Sequence, residues 1–435
     1  MRNFLNHKKK TNFLLLFTAT LFLFGCVSNN GGYNTTPWLD TQNTQGMAEQ
    51  TPSELSVSAV NGEALEAPTL GNQGIDESLA PVKLAILLPL SGKNAKLGQS
   101  MLNAAQMALF DIGYSNFELL PKDTKGTPEG ARTAARSALQ GGAKLVLGPV
   151  FSSSVKAAHQ VTQSANINMI AFSTDWTLAN NKTFLIGFLP FDQIERVIRY
   201  ASFKGYKRIG VISPTNGYGN GVVSAYRAIA QHAGIEASRI ERFSAQDKNL
   251  SSVMRKFSDY DARKANNNKF GAPYDAVLMP AGGPMARELG SFLNHYDLPP
   301  RTVKRLGTGL MDNKSLAQDR TLSGSWFAAP DPQSRKKFER RYLAAYKASP
   351  PRIASLAYDA TALSAILARI GLKNKNRPAF NHSAITNPNG FSGVDGIFRF
   401  RRDGIVERGL AIMEYKNGHI VVIDKAPRTF QSAAY

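Results

Sequence analysis

From Pro81 onward, short wholly apolar runs alternate with segments whose apolar positions recur every three to four residues. The first run, 82–90 (VKLAILLPL), reads as a strand covered on both faces. The spacing over 98–110 predicts an amphipathic helix, and 117–120 a short strand. Thr127-Pro128 opens a helix over 128–139, because a threonine cap followed by proline satisfies a free N–H and presets φ. Strands are expected at 143–150, 168–173 and 184–189, and helices at 152–165 and 192–203. The alternation restarts with strands at 208–213, 239–243, 274–280 and 303–307, separated by helices at 221–233, 250–265 and 285–296. Two helices follow, 332–348 and 353–371, and then hairpin-like strands at 396–401, 409–415 and 420–423. Apolar strands separated by single helices predict an α/β chain with parallel sheets. The units exceed one comfortable domain, so two lobes with a cleft between them are expected, breaking near Pro190. Lobe one takes about 81–190 plus 330–375, and lobe two about 191–329 plus 376–435.

The first 80 residues carry a different pattern. Arg2, Lys8, Lys9 and Lys10 precede an apolar run over 13–24, then Gly25 and Cys26. This is a signal-peptide pattern, with a run too short to span a bilayer comfortably. The ending Leu23-Phe24-Gly25-Cys26 resembles the bacterial lipobox. That resemblance implies a signal peptide over 1–25 and a lipidated Cys26 as the first mature residue. Several acyl chains on one residue anchor a protein stably. Val27 in place of aspartate points, under the sorting rule of enteric bacteria, to the inner leaflet of the outer membrane. The rest of the segment to residue 80 holds seven acidic residues and no Lys or Arg. It reads as a disordered tether, roughly 40 Å long on average for a flexible coil.

Composition sharpens this picture at two points. The chain of 435 residues has 52 Lys+Arg against 32 Asp+Glu, a formal charge of +20. Without the basic signal and the acidic tether, residues 81–435 hold 48 basic and 25 acidic residues, or +23. The basic character therefore belongs to the folded part, and its expected counterparts outside the cytoplasm are anionic lipid, cell-wall polymer or an acidic protein patch. A single cysteine excludes a disulfide framework and any cysteine-rich metal site.

Catalytic constellations are not readable. The histidines His7, His159, His232, His295, His382 and His419 stand in no metal-ligand spacing, and no GxSxG elbow occurs. Gly217-Tyr218-Gly219-Asn220-Gly221 reads as a tight turn into a helix rather than a nucleotide loop. Basic runs such as Arg335-Lys336-Lys337 lack interleaved aromatics and read as a solvated face, not a nucleic-acid surface. No enzyme activity, metal, cofactor or nucleic-acid partner is expected. The remaining candidates lie in loops after strands: Ser91; Ser152 and Ser153; Ser173 and Thr174. Ser152 reads first as the N-cap of its helix and second as part of a helix start whose exposed N–H groups could hold an anion.

In order and spacing, VKLAILLPLSG, GPVFSSSVKAAHQ, NMIAFSTD and NGYGNGV resemble the leucine-binding type of class I periplasmic binding protein, over about 81–371. The resemblance implies two Rossmann-like lobes with parallel sheets, joined by three crossovers and closing on a ligand. It places Ser152, Ser173 and Thr174 on a ligand carboxylate. On the ammonium side, Gly282-Gly283-Pro284-Met285 stands where the family has an aromatic residue, and the family's acidic partner falls near Gly309, with Asp312 three residues on. The candidate cleft set is thus Ser91, Ser152, Ser153, Ser173, Thr174, Tyr218 and Asp312. The phrases ILLPLSGKNAKLGQSMLNAAQMALFD and TPEGARTAARSALQGGAKLVLGPVF look most like the proteobacterial lipoproteins called penicillin-binding protein activators. That implies a non-catalytic envelope lipoprotein acting on a peptidoglycan synthase. The alternative is a solute receptor for amino acids or amides feeding an ABC importer.

Overall fold

The computed structural model describes residues 80–113, 116–244, 250–269, 271–375 and 377–430. The signal peptide, Cys26 and the tether up to residue 79 lie outside the described residues.

The first layer of the fold runs β1 (Val82–Leu88), α1 (Ala95–Ile112), β2 (Phe117–Asp123), α2 (Pro128–Gln140), β3 (Leu145–Leu147), α3 (Ser152–Ser164), β4 (Met169–Ala171) and β5 (Thr183–Leu185). Its five strands are all parallel, in the order β2-β1-β3-β4-β5. Alternation along β1 explains why it is apolar throughout. Leu84, Ile86 and Leu88 pack with Met101 and Ala105 of α1, while Ala85 and Leu87 pack with Ala134 and Ala138 of α2 on the opposite face. Helix α2 opens as its sequence predicts: the Thr127 side chain accepts from Gly130 N at 3.0 Å, with Pro128 in the first turn.

The chain then crosses to a second sheet. It forms α4 (Pro190–Phe203), β6 (Arg208–Pro214), α5 (Gly217–His232), β7 (Glu236–Phe243), α6 (Leu250–Phe257), α7 (Tyr260–Ala265), β8 (Ala276–Leu278), α8 (Gly283–His295), β9 (Lys304–Gly307) and β10 (Trp326–Ala329). It returns through α9 (Pro332–Tyr346) and α10 (Ala354–Lys375) to α11 (His382–Ile385), β11 (Phe391–Gly393), β12 (Gly396–Phe400) and β13 (Val406–Arg408). It crosses again to end in β14 (Ala411–Lys416) and β15 (His419–Asp424). The second sheet orders as β15-β14-β10-β9-β8-β6-β7, antiparallel only where β14 pairs with β10 and β15. Three short links, 186–189, 330–331 and 409–410, therefore join the two lobes.

Three features differ from the sequence expectation. The helix expected over 250–265 breaks at Asp259, whose φ of 52° is left-handed, giving α6 and α7. Strand β10 was not foreseen: four residues (WFAA) carry no readable period, yet they sit between β9 and β14 in mid-sheet. The segment 377–410 was expected in lobe two, but it packs on lobe one. Asn168 donates to the Phe380 carbonyl at 2.6 Å, Leu185 bridges to Ile405, and Phe184 meets Phe400 edge-on at 5.5 Å. Only β14 and β15 join the second sheet, because the antiparallel pairing with β10 needs a strand free of the lobe-one contacts. Among the described residues no helix is long and apolar enough to cross a membrane.

Candidate ligand cleft

Parallel strands point their C-terminal ends, and the loops after them, at the space between the lobes. After β4, Ser173 is buried and its hydroxyl accepts from Asp175 N at 3.1 Å. Asp175 in turn caps a single 3-10 turn, accepting from Thr177 N at 3.3 Å and from the Thr177 hydroxyl at 2.7 Å. This pair of side-chain turns holds Trp176 out from the loop, edge-on to Phe191 at 5.7 Å. On the facing lobe, Asn216 caps α5 by accepting from Gly219 N at 2.9 Å and presents Gly217, Tyr218 and Asn220. Gly221 approaches the indole so closely that an added Cβ would stand 3.0 Å from Trp176 Nε1. Between these two walls and Pro190 lies a cavity of about 360 Å³, lined by Thr174, Asp175, Trp176, Thr177, Tyr218 and Asn220 among others.

Tyr218 is half-buried, and its hydroxyl shares a 2.9 Å hydrogen bond with that of Thr308 at the end of β9. Burial pushes its phenol up to about 12, so it is a neutral hydrogen-bonding group at physiological pH. The cavity wall therefore combines hydroxyls, an amide and an indole, with one carboxylate already engaged in its own turn.

The other sequence candidates fall elsewhere. The Ser91 hydroxyl donates to Asp123 at 2.6 Å; Leu90, Ser91 and Lys125 donate their N–H groups to the same carboxylate. Burial raises the Asp123 carboxyl, but these donors outweigh it and hold the group below its usual range. Ser152 is not the N-cap of α3. Phe151 occupies that position without a side-chain cap bond, because the helix starts one residue earlier in register than a serine cap requires. Ser152 and Ser153 are exposed in the first turn and line neither of the two cavities described here. Asp312 lines a second cavity, discussed below. The structure thus brings Thr174 and Tyr218 together, with Ser173 behind them, and separates the rest. Trp176 was missed by the sequence reading. Its signal was only position, an aromatic next to Ser173-Thr174-Asp175 after a strand.

The ammonium side is closed by backbone. A Cβ on Gly282 would run into the Leu310 carbonyl, so no aromatic side chain fits there. At Gly309, the N–H donates to Gln193 Oε1 at 2.7 Å.

The links between lobes enclose a buried ionic cluster. Asp395, fully buried, accepts from the Ser355 hydroxyl at 2.6 Å and from Arg352 at 3.0 Å. Arg352 lies over the Phe188 ring at 3.9 Å, and Arg408 lies over the same ring at 4.9 Å. The buried Arg408 donates to the Ile186 carbonyl at 2.6 Å, and its backbone N–H donates to Asp192 at 2.9 Å. Asp359, also buried, accepts from Val394 N at 2.7 Å. Burial and then Asp395 raise Asp359 well above the carboxylate range. Burial works to raise Asp395 as well, but Arg352, Arg408 and the Ser355 bond hold it below its usual value. The two carboxylates are thus driven apart, with negative charge favoured on Asp395 over Asp359. Among the described residues, no three His, Cys, Asp or Glu side chains gather as metal ligands.

A two-lobed α/β chain with parallel sheets, short links and a cleft between strand ends is the architecture of a periplasmic binding protein. Residues 81–419 match that family, described as periplasmic binding protein, and the chain belongs to it. A Leu/Ile/Val-binding protein of Rhizobium johnstonii is 24% identical over 249 residues, covering 55% of this chain and 64% of that protein. The match thus spans under two thirds of that relative's length. Among solved structures, a branched chain amino acid ABC transporter periplasmic ligand-binding protein from Burkholderia xenovorans superposes with a TM-score of 0.62 at 18% identity, covering 80% of this chain and 96% of that one. An ABC transporter solute binding protein from R. palustris, in complex with benzoate, superposes with a TM-score of 0.57 at 17% identity, covering 82% and 99%. These likenesses describe the fold.

Proposed function

We propose that the protein is a non-catalytic extracytoplasmic receptor that takes a small solute between its lobes. The observation that carries this is the cavity in which Trp176 and Thr174 of one lobe face Tyr218 and Asn220 of the other across about 360 Å³. Such a volume suits a small solute. Its polar groups are hydroxyls, an amide and the Asp175 carboxylate, which Thr177 engages in its own turn, and the indole offers a flat apolar wall. The glycines at 282 and 309 leave no acidic or aromatic side chain at those positions for an α-ammonium group. An amide, or another solute without a free ammonium, fits this wall better than leucine does. By name, the relatives above bind Leu/Ile/Val, are held in complex with benzoate, or serve ABC transporters, and an importer is the proposed destination of the solute. Isothermal titration against amino acids, their amides and aromatic acids tests the reading. Saturable binding that Trp176→Ala weakens supports it; no heat from any of the panel overturns it.

A second reading is a lipid-anchored activator of a peptidoglycan synthase, held by Cys26 at the outer membrane. It is favoured by the closed ammonium side and by the +23 charge of residues 81–435. Crosslinked envelopes should then yield a penicillin-binding protein with this chain. Repeated recovery of none removes the activator reading.

A further inference from the structure

The second cavity, about 780 Å³, opens between Asp312, Lys314 and His419 of the second lobe and Arg335, Lys336 and Arg352 beside the first. The Thr308-Gly309 corner stands beside both cavities: Thr308 bonds Tyr218, and Gly309 lines this one. The rim carries four cations, Lys314, Arg335, Lys336 and Arg352, against two carboxylates, Asp312 and Glu339.

Two of the cations are fixed from behind. Arg352 is tied to the buried Asp395 and stacked on Phe188. Arg335 donates its Nε to Glu339 at 2.7 Å and its Nη1 to the Arg352 carbonyl at 3.3 Å, and Nη1 stands 3.9 Å from Asp395. Among the described residues, Arg335 bonds through Nε and Nη1, and Arg352 through Nη1. Both side chains line the cavity. Asp395 behind and Glu339 beside offset the two guanidiniums, and Lys314 and Lys336 add two further cations against Asp312, so the lining keeps a net positive charge. Planar guanidiniums held in this way match the oxygens of a carboxylate or a phosphate.

We infer that this cavity is a binding site for the anionic group of a small ligand, a carboxylate or a phosphate, gripped by Arg335 and Arg352 with Lys314 and Lys336 at the rim. Because its lining comes from both lobes, an anion there draws them together, and the site gives closure a second handle beside the cleft. None of its lining residues belongs to the Trp176 cavity. Failure here therefore leaves the solute reading standing, and failure of that reading leaves this one.

The test is titration of the full chain with inorganic phosphate and, separately, with succinate, at constant ionic strength set by NaCl so that general screening is matched. Saturable binding of one or both is expected. Binding of phosphate alone assigns a phosphate group, succinate alone a carboxylate, and both a site that reads the shared charge. Arg335→Gln should weaken binding roughly tenfold, as loss of a charge-assisted hydrogen bond does. Lys336→Gln, an exposed change that leaves Asp395 untouched, should weaken it severalfold while circular dichroism stays unchanged. If Arg335→Gln does not fold, Lys336→Gln and Lys314→Gln decide the matter. No saturable binding of either anion, or binding that is equal in wild type and all folded variants, overturns the assignment.

Discussion

The buried Asp395 is the group whose removal should be felt most. Replacing it by asparagine keeps the shape and removes the charge that Arg352 and Arg335 face. Two interactions go or weaken: the 2.6 Å bond from Ser355 and the 3.0 Å ion pair with Arg352. A hydrogen bond to a charged group is worth about 1.5–3 kcal/mol, and breaking a buried pair by removing one partner costs about 3–5 kcal/mol. The Arg352 side chain is a third exposed and can regain water, which pulls the figure to the lower end, about 3 kcal/mol. The Arg408 guanidinium, by contrast, is buried and loses a compensating charge without gaining water. Urea unfolding followed by circular dichroism measures the change in midpoint at constant slope. Asp424→Asn supplies the comparison, since its pair with Arg196 is at the surface and should be worth about 1 kcal/mol or less. A cost for Asp395→Asn no greater than that for Asp424→Asn would refute the view that this cluster binds the links together.

Three further outcomes are expected. Asp359 binds its proton more tightly folded than unfolded, so it makes the wild type lose stability as pH rises from about 4 toward 7; Asp359→Asn, which keeps an acceptor for Val394 N, should gain on the wild type across that window, and a flat difference in urea midpoints would contradict it. Tyr218→Phe keeps the ring but leaves the buried Thr308 hydroxyl without its partner, at a cost of about 1–3 kcal/mol in the same assay. Gly282→Ala forces a methyl group into the Leu310 carbonyl and should cost about 1–3 kcal/mol in thermal unfolding; no loss would mean that the loop yields.

Much of the fold was written in local pattern. Val82–Leu88 is apolar at every position but one because helices cover both sides of it, and that double burial is legible as a run. Thr127-Pro128 and the restart near Pro190 are likewise local signals. Hence the α/β class and the two lobes could be read before any coordinate. What failed was whatever depends on distant partners. Four residues of β10 have no period of their own and become a strand only through the β9 and β14 edges. Segment 377–410 belongs to lobe one because of Asn168 and Leu185, some two hundred residues earlier. In the cleft, sequence supplied Thr174 and Tyr218 but could not tell that Ser91 is spent on Asp123 or that α3 begins at a phenylalanine cap. It also could not gather Arg335, Arg352, Asp359, Asp395 and Arg408 at one point. Residue type and spacing encode burial and turn chemistry, which act over a few positions. The pairing of charges across three separate links is fixed only when the chain closes on itself, and so only the tertiary structure decides where the charge of this basic domain is aimed.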